Sequence, residues 1–217
     1  MTLSEMRTRV RYLLGEPSTT VNPFWTNTEI DAWINEGYWD FCEKTGVLQE
    51  SYDQGFIVNQ QEDVFPSHFI SIQSMEWINS DDEITVLEPD YMYDLDRNDD
   101  NTGTPSKYYL RSNNIYGLNP IPDEAGTVRI YMSVVPTTVL SDDNDVPSID
   151  SRYHHALIYY AVHLAKLKKK SDDAIFYKNR YEEYVLKAII NASNRVDGQP
   201  MRIIPRMDYY DEYLRNI

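Results

Sequence analysis

The spacing of apolar residues changes twice along the chain, and this change limits the folds that the chain can adopt. Near both ends, apolar residues recur every three or four positions, which is typical of amphipathic helices. From residue 51 to about residue 139, short segments rich in β-branched and aromatic residues alternate with turn clusters, which is typical of strands. The sequence therefore predicts an α+β protein whose strands lie between two groups of helices.

Two capping boxes indicate where the first two helices begin. Thr2 with Glu5 precedes the first helical stripe, and Thr26 with Glu29 precedes the second. In such a box the hydroxyl and the carboxylate bind backbone N–H groups that have no partner within the helix. A glycine follows each stripe and is the expected helix stop. Cys42 lies on the second apolar stripe, so we expect it to be packed rather than reactive.

The central segment contains six candidate strands. Ser112, Asn113 and Asn114 separate two of them and predict a hairpin turn. The candidate strands are residues 55–58, 69–78, 83–87, 107–111, 115–118 and 127–135.

Two further helices follow the strands and should be antiparallel neighbours, because the connection between them is very short. Their apolar stripes are Tyr153, Leu157, Tyr160, Ala161 and Leu164, then Ala174, Tyr177, Tyr181, Tyr184, Val185 and Ala188. We expect a helical bundle built from the N- and C-terminal helix pairs, with an antiparallel β-rich insertion and an extended C-terminal arm. The predicted boundaries are 1–49 and 148–195 for the discontinuous bundle, 50–147 for the acidic insertion and 196–217 for the arm.

The chain is strongly acidic, with a formal net charge of -15. Residues 50–105 hold fourteen acidic side chains and one basic side chain, so most of the net charge lies in the predicted insertion. Such a chain lacks the basic surface that wraps DNA or docks on an anionic membrane. Asp99 and Asp100 lie in a polar loop, residues 97–104, that has almost nothing to bury.

Basic residues form two groups, and each allows two interpretations. Arg7, Arg9 and Arg11 fall largely off the first apolar stripe, so they form either a solvated face or a patch for an acidic neighbour. The lysines at residues 166 and 168–170 end the third predicted helix, where positive charge complements the helix dipole. A nucleic-acid patch is the alternative for the lysines.

One cysteine in the whole chain excludes an intramolecular disulfide, and therefore a disulfide-stapled secreted scaffold. No apolar run approaches the ~18 residues of a membrane span, and the first residues lack the long apolar region of a secretion signal. We therefore expect no membrane contact, and a protein that stays in the host cytoplasm where it is made.

The sequence contains no recognisable catalytic motif. His154 and His155 are adjacent, so on a helix they point in different directions and lack the spacing of a zinc site. Phosphate-binding glycine loops, a nucleophile elbow and the twelve-residue calcium loop are all missing. The prediction is a protein with no catalytic residues, no metal and no cofactor.

The last 22 residues are too apolar for a solvated tail and are interrupted by Gly198, Pro200 and Pro205. An extended arm that becomes ordered on a partner fits this composition, and an arm that folds back on its own domain is the alternative. The candidate anchor residues are Met201, Ile203, Ile204, Tyr209, Tyr210 and Tyr213.

The order of these segments resembles the head–tail connector (adaptor) proteins of tailed bacteriophages. Residues 3–15 and 26–46 are similar to their paired N-terminal helices, and GTPSKYY at 103–109 to their recurrent G-x-P-x-x-Y. Residues 114–149 resemble a strand, a proline-rich turn, a strand and a D-x-P-x-I entry to a helix. Residues 153–185 are similar to their closing helical pair.

The resemblance implies a structural virion protein at the head–tail junction. It implies a homo-oligomeric ring, a dodecamer, that docks on the portal protein, extends the DNA channel and offers an attachment surface to the next tail or neck protein. DNA would pass through without specific binding. By analogy the arm reaches the portal, and the acid at Asp99 and Asp100 either faces the channel lumen or faces outward and keeps the subunit soluble.

Two other classes of protein stay open at this point. One is a different neck or tail ring, such as a stopper or a tail terminator, which would bind the tail but not the portal. The other is a tail-associated lytic enzyme, which would degrade peptidoglycan through one or two of the abundant carboxylates.

Overall fold

A computed structural model describes residues 1–16, 23–90 and 101–193. Within these ranges the chain forms four α-helices and nine strands. The helices are α1 (Leu3–Leu14), α2 (Asn27–Thr45), α3 (His154–Lys168) and α4 (Ala174–Ser193). The strands are β1 (Gln49–Phe56), β2 (Glu62–Val64), β3 (Phe69–Ile78), β4 (Ile84–Pro89), β5 (Thr102–Gly103), β6 (Lys107–Ser112), β7 (Ile115–Asn119), β8 (Ile121–Pro122) and β9 (Gly126–Val134).

Both predicted capping boxes are confirmed. The Thr2 hydroxyl accepts a hydrogen bond from the Glu5 N–H at 3.2 Å, and the Glu5 carboxylate accepts one from the Thr2 N–H at 3.0 Å. Thr26 and Glu29 form the same reciprocal pair at the start of α2, at 3.2 and 3.1 Å. Each of these helices ends at a glycine with positive φ, a conformation that glycine adopts without a steric penalty.

The dominant element is a curled seven-stranded sheet in the order β1-β9-β3-β4-β6-β7-β2. The sheet closes over its own apolar core because aromatic rings from distant strands meet inside it. Phe56 of β1 lies 6.0 Å from Tyr116 of β7, and 6.3 Å from Trp77 of β3, measured between ring centroids. A residue of each of these three strands therefore contributes to one enclosed core.

The structure confirms the α+β class but contradicts the predicted helical bundle with an appended antiparallel insertion. The sheet is the dominant element rather than an insertion, because its seven strands, 47 residues in all, curl around a core of their own. The sheet is also mixed: β4 and β6 run parallel, as do β5 and β8 in a separate two-stranded sheet. Two short parallel pairings of two residues each leave no periodic signal in the sequence.

The helices enclose a second apolar core, with α3 in the middle. Leu157 and Ala161 of α3 are fully buried, and α3 contacts α1, α2 and α4. Close approach of α2 to α3 requires Gly37, since a Cβ atom there would lie 2.9 Å from the Tyr160 ring. Contacts between His163 and Ala174 at one end and between Tyr153 and Asn191 at the other confirm that α3 and α4 are antiparallel.

The two cores meet at the end of α2. The Ser133 hydroxyl of β9 donates a hydrogen bond to the Gly46 carbonyl at 3.0 Å, and a Cβ atom at Gly46 would lie 3.1 Å from that hydroxyl oxygen. Leu48 packs against both cores. This junction fixes one end of the sheet against the helices, so the opposite end of the sheet faces away from them.

Arg11 corrects the prediction that the arginines of α1 form a solvated face or a patch for a neighbour. Its side chain is buried and binds the loop that precedes α2. The guanidinium Nη2 donates to the Asn27 side-chain oxygen at 2.6 Å and to the Trp25 carbonyl at 3.0 Å. Arg7 is also engaged within the chain, through a two-point contact with Asp31. Arg11 therefore ties α1 to the start of α2.

Replacing Arg11 with alanine is expected to lower the free energy of unfolding by about 2–4 kcal/mol. The substitution leaves the buried Trp25 carbonyl and the Asn27 side-chain oxygen without their charged donor, and it removes the packing of the aliphatic stem. Arg9→Ala, on the exposed side of the same helix, is the matched control and should change stability by no more than about 0.5 kcal/mol. Urea denaturation followed by circular dichroism measures both, and equal effects would contradict this role of Arg11.

Candidate functional site

The site residues predicted from the sequence lie outside the part of the chain that the structure describes. Asp99 and Asp100 fall within residues 91–100, and the six arm candidates fall within residues 194–217. The arm candidates are Met201, Ile203, Ile204, Tyr209, Tyr210 and Tyr213. Their assignments stay predictions, and the described residues offer three other exposed surfaces.

The first surface is an acidic tip at the end of the sheet far from the helices. We define it as the β3–β4 turn, residues 79–83, and the β8–β9 turn, residues 123–125. The Ser80 hydroxyl donates to the Glu124 carboxylate at 2.9 Å and links the two turns. The tip carries five carboxylates and no basic residue: Asp81, Asp82, Glu83, Asp123 and Glu124.

Apolar side chains border the acidic tip. Ile57 and Ile84 are 70% and 58% exposed, which is unusual for isoleucine in a folded protein. The turn that follows Ile57 is held to this end of the sheet by a hydrogen bond from the Asn59 N–H to the Pro122 carbonyl at 2.9 Å. Exposed apolar residues beside unpaired charge are typical of a surface that meets a protein partner.

The loop that contains Asp99 and Asp100 returns to the sheet near this tip. The carbonyl of Asn101 accepts a hydrogen bond from the Ile121 N–H at 3.0 Å, directly before the β8–β9 turn. Asp100 precedes Asn101 in the sequence and lies outside the described residues.

The second surface is the lysine end, which we define as Lys166 and residues 168–170, at the end of the helices far from the sheet. Lys166 pairs with Asp173 at 2.8 Å, and Lys168 pairs with Glu29. The Lys169 ammonium lies 5.5 Å from the centre of the Trp25 ring. These contacts within the chain favour the interpretation of the lysines as a solvated helix end over a nucleic-acid patch.

The third surface is an apolar face of α4 that points away from both cores. The predicted stripe of α4 is confirmed on its inner side, where Val185 and Ala188 are buried. Ile175, Leu186 and Ile189 occupy the outer side and are 58%, 44% and 37% exposed. Sequence reasoning missed this outer face, although the apolar residues that lie off the main stripe were a visible signal of it.

The cysteine and a histidine of the helices are buried rather than reactive. Cys42 is fully buried, and desolvation raises the pKa of its thiol to about 12, so the predicted packed state is confirmed. Burial likewise lowers the pKa of His154, whose ring contacts the Ile149 carbonyl at 3.1 Å. Among residues 1–16, 23–90 and 101–193, no cluster of three or more His, Cys, Asp or Glu side chains could hold a metal ion.

None of the helices within the described ranges is long and apolar enough to cross a membrane.

Comparison with known proteins identifies the family. The family model described as SU10 adaptor protein matches residues 1–204. No curated protein matches the chain. The matched region contains both apolar cores, the acidic tip and the outer face of α4. The chain therefore belongs to the SU10 adaptor protein family, a family of bacteriophage head–tail adaptors that serve as structural proteins of the virion.

Proposed function

We propose that the protein forms a ring at the head–tail junction, docks on the portal, extends the DNA channel and offers the attachment surface for the tail. The observation that carries this proposal is an apolar α4 face left uncovered in a single chain that belongs to an adaptor family. A subunit that works alone gains nothing from three exposed large aliphatic side chains on one helix face.

A closed ring needs one surface of each subunit to meet a different surface of its neighbour. The outer face of α4 supplies one such surface. Each Å² of apolar area that this contact buries stabilises it by about 25 cal/mol. The resemblance implies twelve copies in the ring. The arm, residues 196–217, docks on the portal through its apolar and aromatic anchors.

The acidic surface suits a channel through which DNA passes. Carboxylates repel phosphate at short range, so an acidic wall lets the duplex slide without binding it. Asp99 and Asp100 lie in the most acidic part of the chain and face the lumen in this proposal. The tail-side attachment surface is the acidic tip with its apolar border, which meets the next neck or tail protein.

Purified protein mixed with its portal tests the proposal most directly. Electron microscopy should show a ring of added density beneath the portal, with rotational symmetry that matches the number of bound copies. Density on a tail fragment together with no density on the portal would instead indicate a stopper or a tail terminator. Clearing of peptidoglycan by the purified protein, abolished by substitution of one carboxylate, would indicate a lytic enzyme.

Reversing the charge of the loop by Asp99→Lys together with Asp100→Lys is expected to slow DNA ejection or alter DNA retention. Two lysines in the lumen would attract phosphate where the wild-type wall repels it. Ejection from purified virions, followed by the fluorescence of a DNA dye, measures the effect. Asp99→Glu with Asp100→Glu, which keeps both negative charges at the same positions, is the matched control and should leave ejection unchanged. Normal ejection and normal infectivity of the Asp99/Asp100 variant would contradict the lumen assignment.

A further inference from the structure

A cleft lies between the start of α3 and the last turns of α4, and the proposed function does not use it. Its volume is ≈ 240 Å³. An apolar cavity of about 150 Å³ holds a benzene molecule, so this cleft has room for one aromatic side chain. It is lined by Arg152, Tyr153, Tyr184, Lys187, Ile190 and Asn191.

The lining combines aromatic rings with two cations at the rim. The Lys187 ammonium lies 5.3 Å from the centre of the Tyr184 ring and forms no ion pair with any carboxylate in residues 1–16, 23–90 or 101–193. The Arg152 guanidinium pairs with Asp150 at 2.7 Å and lies 5.7 Å from the centre of the Tyr153 ring. This chemistry favours a peptide with aromatic side chains next to carboxylates.

We propose that in the free subunit this cleft binds the chain's own residues 208–214. That segment reads DYYDEYL, with three tyrosines and three acidic residues in seven positions. The part of the C-terminal segment that precedes it, residues 194–207, carries three arginines and no tyrosine. One aspartate is its only acidic residue. Among residues 194–217, the negative charge and the aromatic side chains that complement the cleft therefore occur together only in residues 208–214.

The connection is long enough for the segment to reach the cleft of the same chain. Fourteen residues separate Ser193 from Asp208, and they span up to about 46 Å when extended. Lys187 lies six residues before Ser193, about 9 Å along the axis of α4. A short tether of this kind gives an effective concentration in the millimolar range, about what a weak peptide contact needs.

The inference goes beyond the proposed function and does not depend on it. If the arm also docks on the portal, one of its tyrosines, Tyr209, Tyr210 or Tyr213, serves two sites in turn. The cleft holds that tyrosine while the subunit is free, and the portal competes for it during assembly. A subunit that covers its own adhesive residues avoids premature association with other copies.

Hydrogen–deuterium exchange on the full-length chain tests the proposal. Backbone amides of residues 208–214 should exchange about tenfold faster in Lys187→Glu than in the wild type, because the variant repels the segment that the lysine attracts. Lys178→Glu is the matched control. It reverses the same charge on the same helix, with an acidic residue four positions away in both cases, and lies outside the cleft. It should leave the exchange unchanged.

A second pair of variants separates release of the segment from damage to the fold. Asp211→Lys with Glu212→Lys changes only the C-terminal arm. It should speed the amide exchange of residues 208–214 as Lys187→Glu does. Combining all three substitutions should restore slow exchange, because the charges are then swapped. Equal exchange of residues 208–214 in the wild type and in every variant would overturn the proposal. Protection that increases with protein concentration would overturn it too, since it would assign the cleft to a second copy.

Discussion

Replacing Trp77 with alanine is expected to lower the free energy of unfolding by about 3–5 kcal/mol, a large share of the total for a domain of this size. Trp77 is fully buried where the sheet curls. Its ring lies directly over Gly126 of β9, where a Cβ atom would be only 2.4 Å from the indole. It also makes an edge contact with Phe56 of β1 at 6.3 Å. Alanine would leave a cavity in contact with three strands.

Trp77→Phe is the matched control for this substitution. The indole N–H of Trp77 is buried and has no hydrogen-bond partner among the described residues, so phenylalanine removes no hydrogen bond to them. It keeps one aromatic ring in the core and should cost less than about 1.5 kcal/mol. Urea unfolding monitored by far-UV circular dichroism compares the two. Equal costs would show that the volume of this side chain is not what holds the curled sheet.

Deleting residues 196–217 is expected to abolish binding to the portal while lowering the free energy of unfolding by no more than about 1.5 kcal/mol, the contribution of the weak cleft contact. Among the described residues, every member of the two apolar cores precedes residue 189, so the deletion removes none of them. It removes six apolar or aromatic anchors, and a few such residues usually supply most of the energy of an interface. Sedimentation of the truncated chain with portal, together with its thermal unfolding, measures both expectations.

Lys187→Glu serves as the control for the deletion, because it keeps the whole arm and should still bind the portal. Portal binding at full strength by the truncated chain would refute the assignment of the arm. That result would leave the cleft proposal untouched, since the cleft is tested by amide exchange in the free subunit. The two proposals can therefore fail separately.

Features set by neighbouring residues were predictable from the sequence. The capping boxes at Thr2 and Thr26 depend on contacts across three positions, and both form as expected. The hairpin of β6 and β7 follows from the turn residues between them, and it too is confirmed. Such rules are local because the side chain and the backbone group that it binds are close along the chain.

Features that join distant parts of the chain were not predictable. Closure of the sheet depends on Phe56 meeting Tyr116, 60 positions later, and no periodic pattern records that contact. The burial of Arg11 depends on the path of the loop before α2, where an arginine off the apolar stripe looks solvated. The expected bundle was wrong for this reason: in the sequence the strands appear as separate short segments, with no sign that they form one curled sheet.

Among the candidate surfaces too, the sequence predicts local features but not contacts between distant segments. The acidic composition of the insertion was visible in the sequence, but the acidic tip brings together turns at residues 79–83 and 123–125, about 40 positions apart. The outer face of α4 is local to one helix and could have been found by counting every apolar position on it. The arm and the Asp99–Asp100 loop remain predictions, because they rest on composition alone.

The acidic tip and the lysine end give each subunit a permanent electric dipole. In the proposed ring, copies that stand side by side would hold these dipoles parallel, so ends of like charge would lie next to each other and repel. Dissolved ions shorten the range of that repulsion, from about 10 Å at 0.1 M to about 3 Å at 1 M. If the proposed ring forms, the electric field of each subunit opposes its assembly, and concentrated salt should favour assembly.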